Sequence, residues 1–291
     1  MKILVTGATG FIGNHVIEEL LKYKIDVIAT SNDIKSAKKS SWYKKVRFIS
    51  SNINYSRKNY FDFFDKPDKV IHLAWEGLPH YKELYHFEKN LFNNYYFIKS
   101  MVENGLSDLT GIGTCFEYGL SEGCLSEDMC TNPITPYGIA KDTLRKFISE
   151  LNKKYEFKFR WARLFYLYGK GQKLNSLLSQ LEFALDNGSK VFNMSGGEQE
   201  RDFLLVDLVA EYIVKIALQE KVLGNINCCS GVPISVKSLV EKKMKEKNKF
   251  IKLNLGYYPY LDYEPMSFWG NTEKLKTILE DFVFLPKINP N

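Results

Sequence analysis

Apolar residues along this chain fall into two rhythms. Short, nearly continuous apolar runs at 2–6, 27–30, 46–50, 69–73 and 109–112 are bounded by Gly, Asn, Asp or Ser. Runs of that length suit parallel strands buried on both faces. Between them, 12–23, 82–104 and 136–155 have helical length and period. Pro136 opens the last of these, where its missing N–H costs nothing. The repeated strand–helix–strand order predicts an α/β fold, a doubly wound parallel sheet over 1–165.

After Leu164 the rhythm loosens. Helical patterns persist at 174–187, 206–219, 236–247 and 272–280, but Gly, Pro and aromatics break the segments between, as in Gly256-Tyr-Tyr-Pro-Tyr. A smaller mixed α/β lobe over 166–291 is expected, capping the carboxyl ends of the strands. Within it, about 203–230 is expected to pack back on the first unit.

The chain has 291 residues, 45% of them apolar and 14% aromatic, enough to bury a sizeable core. The formal charge of +6 is spread over many lysines. The densest basic stretch, EKKMKEKNK at 241–249, mixes both signs and reads as a solvated helix face, so no nucleic-acid partner is expected. Five cysteines, two of them adjacent, and four histidines show no metal spacing, and no metal is expected. No cationic leader precedes a long apolar run, and none of the apolar runs approaches the ~20 residues that cross a bilayer. The expectation is a cytoplasmic protein with reduced thiols and no membrane partner.

The first strand runs into Gly7-Ala8-Thr9-Gly10-Phe11-Ile12-Gly13 and then a helix. Glycines there allow a tight turn and close approach of backbone to a pyrophosphate, which the helix N-terminus favours. The spacing is G-x-x-G-x-x-G, and its position after the first strand is what points to a Rossmann-type dinucleotide site. An NAD site usually carries an acid at the end of the second strand. Here Ser31 and Asn32 stand there, Asp33 follows, and Lys35 and Lys38 add positive charge. These residues suit a 2′-phosphate, so NADP(H) is favoured and NAD(H) is the alternative.

Tyr137-Gly-Ile-Ala-Lys141 begins the helix after Pro136, and residues four apart share a helix face. A free tyrosine has a pKa of about 10, and a nearby ammonium is expected to bring Tyr137 closer to useful acid–base strength. Thr114 ends the fifth strand, where open α/β sheets place their sites, and its hydroxyl can bond a substrate oxygen. Cys115 has no His nearby in sequence to activate it and reads as a packing residue.

These residues resemble the extended short-chain dehydrogenase/reductases that act on nucleotide sugars. The likeness spans nearly the whole chain: TGATGFIG at 6–13, His72-Leu73-Ala74, Thr114, Tyr137 with Lys141, Arg163-Leu164-Phe165, Tyr168-Gly169 and Arg201-Asp202-Phe203. The resemblance implies Tyr137 as general acid or base, Lys141 on the nicotinamide ribose and Thr114 on the sugar oxygen. It implies a cofactor site of Gly7, Thr9, Gly10, Phe11, Ile12, Ser31, Asn32, Lys35, Asn52, Ile53, Leu73, Ala74, Trp75 and Leu164, with Tyr137 and Lys141. For the substrate, a nucleotide-diphosphate sugar, it implies Thr114, Cys115, Phe116, Glu117, Tyr166 and Arg201, the last pairing with phosphates. Pairing of Arg201 with Asp202 or Glu200 is the competing assignment. A homodimer through the helices at 82–104 and 136–155 is also implied.

Departures from the family pattern narrow the reaction. Sugar 4,6-dehydratases of the family follow the threonine with Asp-Glu, where this chain has Cys115-Phe116. Tyr166 replaces the usual Asn of Arg-x-x-Asn-x-Tyr-Gly. The strings at 74–81 and 113–119 look most like the branch that reduces dTDP-4-keto-6-deoxyglucose to dTDP-fucose. A 4-ketoreductase is therefore expected, with a 4-epimerase that retains NAD as the first alternative and a non-catalytic NADP-sensing protein as the second.

Overall fold

In the computed structural model, residues 1–54 and 57–282 are described; 283–291, the end of the expected second lobe, lie outside the described residues. The first part of the chain forms β1 (Lys2–Thr6), α1 (Phe11–Leu20), β2 (Asp26–Ser31), α2 (Ile34–Lys39), β3 (Arg47–Ser50), α3 (Tyr60–Phe63) and β4 (Lys69–His72). A π-turn, His86–Asn90, leads into α4 (Leu91–Glu103). Then come β5 (Asp108–Thr114), a 3-10 turn (Cys115–Tyr118), β6 (Gly123–Leu125), α5 (Pro136–Tyr155), β7 (Lys158–Leu164) and β8 (Tyr166–Tyr168). The remainder is α6 (Leu177–Asp186), β9 (Val191–Asn193), β10 (Glu200–Leu205), α7 (Val206–Leu218) and β11 (Gly224–Cys228). It ends with β12 (Pro233–Ser235), α8 (Val236–Glu246), β13 (Lys252–Asn254), β14 (Phe268–Gly270) and α9 (Glu273–Glu280).

Seven parallel strands make the main sheet, in the order β11-β7-β5-β4-β1-β2-β3. The order reverses direction beside β1, and the crevice at the carboxyl ends there is where open α/β sheets bind ligands. One face is covered by α1, α7 and α9, whose Val16, Ile213 and Leu275 share a core with Val5 and Ile71. The other carries α3, α4 and α5, with Phe64, Phe97 and Ile148 against Leu4 and Trp161. A separate core under α6 and α8 includes Leu181, Phe192 and Val240. Both α7 and β11 return to the main sheet, and so does α9, beyond the expected return at 203–230.

One helix departs from expectation, and one strand outruns its apolar run. The helix expected from 82 starts at the π-turn His86–Asn90. Gly77 and Pro79 bend the preceding chain, with His80 N–H donating to the Gly77 carbonyl at 3.0 Å and Tyr81 N–H to that of Pro79 at 2.9 Å. The fifth strand ends at Thr114, as expected, two residues beyond its apolar run at 109–112, and it includes Gly111 and Gly113. Those glycines make room for an indole: a Cβ on Gly111 would lie 2.6 Å from the Trp161 ring, and one on Gly113 2.2 Å from its Nε1.

Candidate active site

The β1–α1 loop is shaped by close approach. Gly7 has φ +67°, and a Cβ there would meet the Ala74 backbone nitrogen at 2.9 Å. On Gly13 a Cβ would stand 2.2 Å from the Gly7 carbonyl oxygen, so only glycine lets α1 pack this near the loop. Gly10 caps α1 without a side-chain hydrogen bond, leaving first-turn N–H groups toward the crevice. A cleft of about 200 Å³ opens there, lined by Gly7, Thr9, Gly10, Ser31, Asn32, Asn52, Ile53, Leu73, Ala74 and Trp75. These ten expected positions therefore meet, and the glycine cradle fits a dinucleotide pyrophosphate. Phe11 and Ile12 begin α1 beside it. Lys35 is exposed on α2 and Leu164 is buried in the sheet core, and neither lines the cleft.

At the end of β2 the Ser31 hydroxyl lies 2.6 Å from that of Thr9. Asp33 caps α2, accepting from Ser36 N–H at 2.9 Å and Ser36 hydroxyl at 2.6 Å, and these bonds hold its carboxyl below the usual range. Sequence reasoning missed Thr6, Asn90 and Asn94 on the cleft wall. Thr6 hydroxyl lies 2.9 Å from His72 Nδ1 and accepts from the N–H groups of Leu73 and Ala74, while His72 Nε2 lies 2.7 Å from Asn94 Oδ1. Burial keeps His72 neutral, its pKa down at about 3. The signal for this network was present in the buried polar residues of otherwise apolar runs.

The chemical groups meet at the carboxyl end of β5. Thr114 is the N-cap of the 3-10 turn, its hydroxyl accepting from Phe116 N–H at 3.3 Å. Thr135 caps α5 by accepting from Gly138 N–H at 3.1 Å, which sets Tyr137 in the first helical turn. Tyr137 is buried, with the rings of Trp75, Tyr81, His86 and Phe116 at 6.0, 5.4, 5.3 and 6.2 Å. Of these, Tyr81 and His86 were not anticipated. Lys141 donates to the Ile112 carbonyl at 2.9 Å and lies 4.0 Å above the Trp75 ring. Burial pulls its pKa down to about 7, with Glu117 acting in the opposite direction.

The expected lowering of Tyr137 by Lys141 is not what governs the phenol. Burial dominates and raises its pKa, Tyr81 and Glu117 add to the rise, and the Thr114 hydroxyl pulls the other way. The lysine is a weak source of positive charge because it is itself desolvated.

Three substrate assignments are also revised. Glu117 is fully buried, its Oε1 accepting from Thr114 N–H at 3.0 Å and Trp161 Nε1 at 2.8 Å, and its Oε2 from Arg163 Nε at 2.7 Å. It therefore builds the strand end and does not face the crevice. Cys115 packs with Tyr118, Leu125, Phe165, Cys229 and Phe268, and burial pushes its thiol far up. Arg201 lies on the wall of a second, larger cavity of about 500 Å³, but its guanidinium is paired. Nε and Nη2 donate to Glu264 Oε2 at 3.3 and 3.0 Å, and Nη1 donates to the Glu200 and Met266 carbonyls at 2.8 and 3.2 Å. Asp202 instead holds the turn at Ser230 and Gly231, accepting from their N–H groups at 2.7 and 2.8 Å. Tyr166 and Glu264 share the Arg201 wall, and Phe116 bridges it to Tyr137.

Residues 3–229 match the NAD dependent epimerase/dehydratase family. The chain belongs to that family. A relative in it, the dTDP-6-deoxy-L-talose 4-dehydrogenase (NAD(+)) of Aggregatibacter actinomycetemcomitans, is 32% identical over 93% of this chain and 99% of its own length. The dTDP-4-dehydro-6-deoxyglucose reductase of Escherichia coli is 26% identical over 85% of this chain and 82% of its own. Among solved family folds, the UDP-glucuronic acid 4-epimerase of Bacillus cereus, in complex with UDP-glucuronic acid and NAD, superposes with a TM-score of 0.83 at 24% identity, covering 98% of this chain and 95% of that one. As a member of this family the chain is an NAD(P)-dependent enzyme of nucleotide-sugar metabolism. Among the described residues no His, Cys, Asp and Glu cluster could hold a metal, and no helix is long and apolar enough to cross a membrane.

Proposed function

We propose that this enzyme is a C4 ketoreductase of a nucleotide-linked 4-keto-6-deoxyhexose, reducing dTDP-4-dehydro-6-deoxyglucose to dTDP-fucose. The observation that carries this reading is the gathering of Thr114, Tyr137 and Lys141 at the end of β5, with Tyr137 and Lys141 on Trp75 of the glycine cleft and Phe116 joining Tyr137 to Tyr166 on the wall of the larger cavity. Both dTDP-specific relatives named above are named for the same carbon and the same 6-deoxyhexose class, which supports it. Because one of them is a 6-deoxy-L-talose 4-dehydrogenase, the 4-keto sugar that corresponds to dTDP-6-deoxy-L-talose is the second reading for the substrate.

When bound, a reduced nicotinamide supplies the hydride to C4. Tyr137, which burial keeps protonated at neutral pH, donates its proton to the carbonyl oxygen. Thr114 donates a hydrogen bond to the same oxygen, a contribution of ~10²–10³ in rate for a well-placed donor. Lys141, fixed by Ile112 and Trp75, would hold the nicotinamide ribose. The aromatic cage of Trp75, Tyr81 and Phe116 excludes water. Free N–H groups in the first turn of α6, whose Ser176 and Leu177 line the larger cavity, suit the diphosphate. NADP(H) is the preferred cofactor because Asp33 is engaged in capping α2, leaving Asn32 on the cleft wall beside Ser31, with Lys35 exposed on α2 at its rim, to meet a 2′-phosphate. Adjacent α4 and α5 expose Phe92, Tyr96, Ile139 and Phe147, an apolar face suited to a homodimer.

The reading is tested with dTDP-, UDP- and GDP-linked 4-keto sugars, each offered NADPH and NADH. Loss of reduced-nicotinamide absorbance with a dTDP-4-keto-6-deoxyhexose, faster with NADPH, is expected. Turnover of a 4-hydroxy sugar without added reductant would instead mark a 4-epimerase.

A further inference from the structure

Tyr166, the departure from the family's usual asparagine, has no role in the chemistry above. Its ring is edge-on to Phe116 at 6.5 Å and packs on Phe203 at 5.5 Å and Phe268 at 6.1 Å. Phe116 in turn meets Tyr137 at 6.2 Å, so one ring separates Tyr166 from the proton donor. The Tyr166 hydroxyl is buried, and no hydrogen-bond partner meets it among the described residues. Burial raises its pKa well above the ordinary value, and the neighbouring Glu264 carboxylate adds to the rise without completing a hydrogen bond of ordinary geometry. An unpartnered buried phenol is unfavourable in a folded protein, so a ligand group that accepts its proton is the natural complement.

We propose that the Tyr166 hydroxyl and the Glu264 carboxylate together read a hydroxyl group of the substrate hexose, the phenol donating to it and the carboxylate accepting from it. This rests on the ketoreductase reading above. Three observations select a hexose hydroxyl. Glu264 lines the cavity next to Tyr263, whose ring meets Tyr81 at 6.4 Å and Phe116 at 6.2 Å, which places this segment at the end of the cavity nearest Tyr137. The Arg201 guanidinium, bound to Glu264 at 3.0 Å, makes the pair electrically neutral. A charge-balanced pair whose guanidinium is already engaged gives a phosphate little to bind, while the carboxylate can still accept from an uncharged hydroxyl. Arg201 then acts as a positioning residue: its two bonds to Oε2 orient Glu264 toward the cavity that both residues line.

The test compares wild type with Tyr166→Phe and Glu264→Gln by calorimetric titration. The probes are dTDP, dTDP-fucose, dTDP-6-deoxytalose, and analogues of the tighter-binding sugar lacking the 2- or the 3-hydroxyl. Tyr166→Phe should weaken the tighter-binding sugar about ten-fold and leave dTDP unchanged. One deoxy analogue should bind wild type about ten-fold more weakly and lose nothing further in Tyr166→Phe. Melting of Tyr166→Phe should be at or above that of wild type, because the removed hydroxyl has no partner in the fold. Unchanged sugar binding by Tyr166→Phe overturns the inference alone, as does equal weakening of dTDP and the dTDP-sugar. Should wild type bind none of the dTDP-sugars, the ketoreductase reading fails and takes this inference with it.

Discussion

A buried tyrosine and a buried lysine four residues apart do different jobs here. Tyr137 is held in its protonated form by desolvation, while Lys141 is desolvated into the range where it titrates near neutrality. Tyr137→Phe should cut keto-sugar reduction by ~10²-fold or more while fluorescence titration shows cofactor affinity within about two-fold of wild type. The lysine makes a separate prediction for stability. Its pKa is near 10.4 in an unfolded chain and about 7 in the fold, so the unfolded state binds more protons between those values. Its burial penalty is therefore full below pH ~7 and fades as pH rises toward ~10. Lys141→Met should melt higher than wild type at pH 6, and that advantage should shrink steadily toward pH 10 in calorimetric scans. An advantage that grew with pH would contradict the assignment.

At the level of elements, the proposed function assigns cofactor binding to the loop between β1 and α1 and the end of β2. Gly13→Ala places a Cβ 2.2 Å from the Gly7 carbonyl, so the helix must move away from the loop. Cofactor affinity should fall ~10-fold or more, with destabilisation of ~1–3 kcal/mol, both measurable by titration and melting. Ser31→Asp should move the ratio of kcat/KM toward NADH by restoring an acid at the strand end. Elements with complete local signals were legible in the sequence. Pro136–Tyr155 carries its cap, its N1 proline and its period within one stretch. The end of the fifth strand at Thr114 was legible too, but its apolar run stops at 112, and only Trp161, on the adjacent strand, explains the glycines at 111 and 113. Likewise Glu117 looked available to substrate because Trp161 and Arg163, which engage it, lie 44 and 46 residues away. The Arg201–Glu264 pair spans 63 residues and left no local pattern at all.

Across the whole molecule, the seven-stranded sheet fixes the proton donor and the glycine cleft, and the chain after β7 supplies the larger cavity beside them. The apolar face on α4 and α5 predicts self-association, and Tyr96, 59% exposed at its centre, is the residue to change. Tyr96→Glu should convert a dimer mass in light scattering to a monomer mass without changing the far-UV spectrum. The central claim is hydride delivery to C4 with protonation by Tyr137. Its most direct test is reduction of dTDP-4-dehydro-6-deoxyglucose with cofactor deuterated at the transferable position, the product being read by NMR. Deuterium confined to C4 of a dTDP-6-deoxyhexose, with one cofactor oxidised per product, is the predicted result. Deuterium at any other carbon, or product formed without cofactor oxidation, would contradict it.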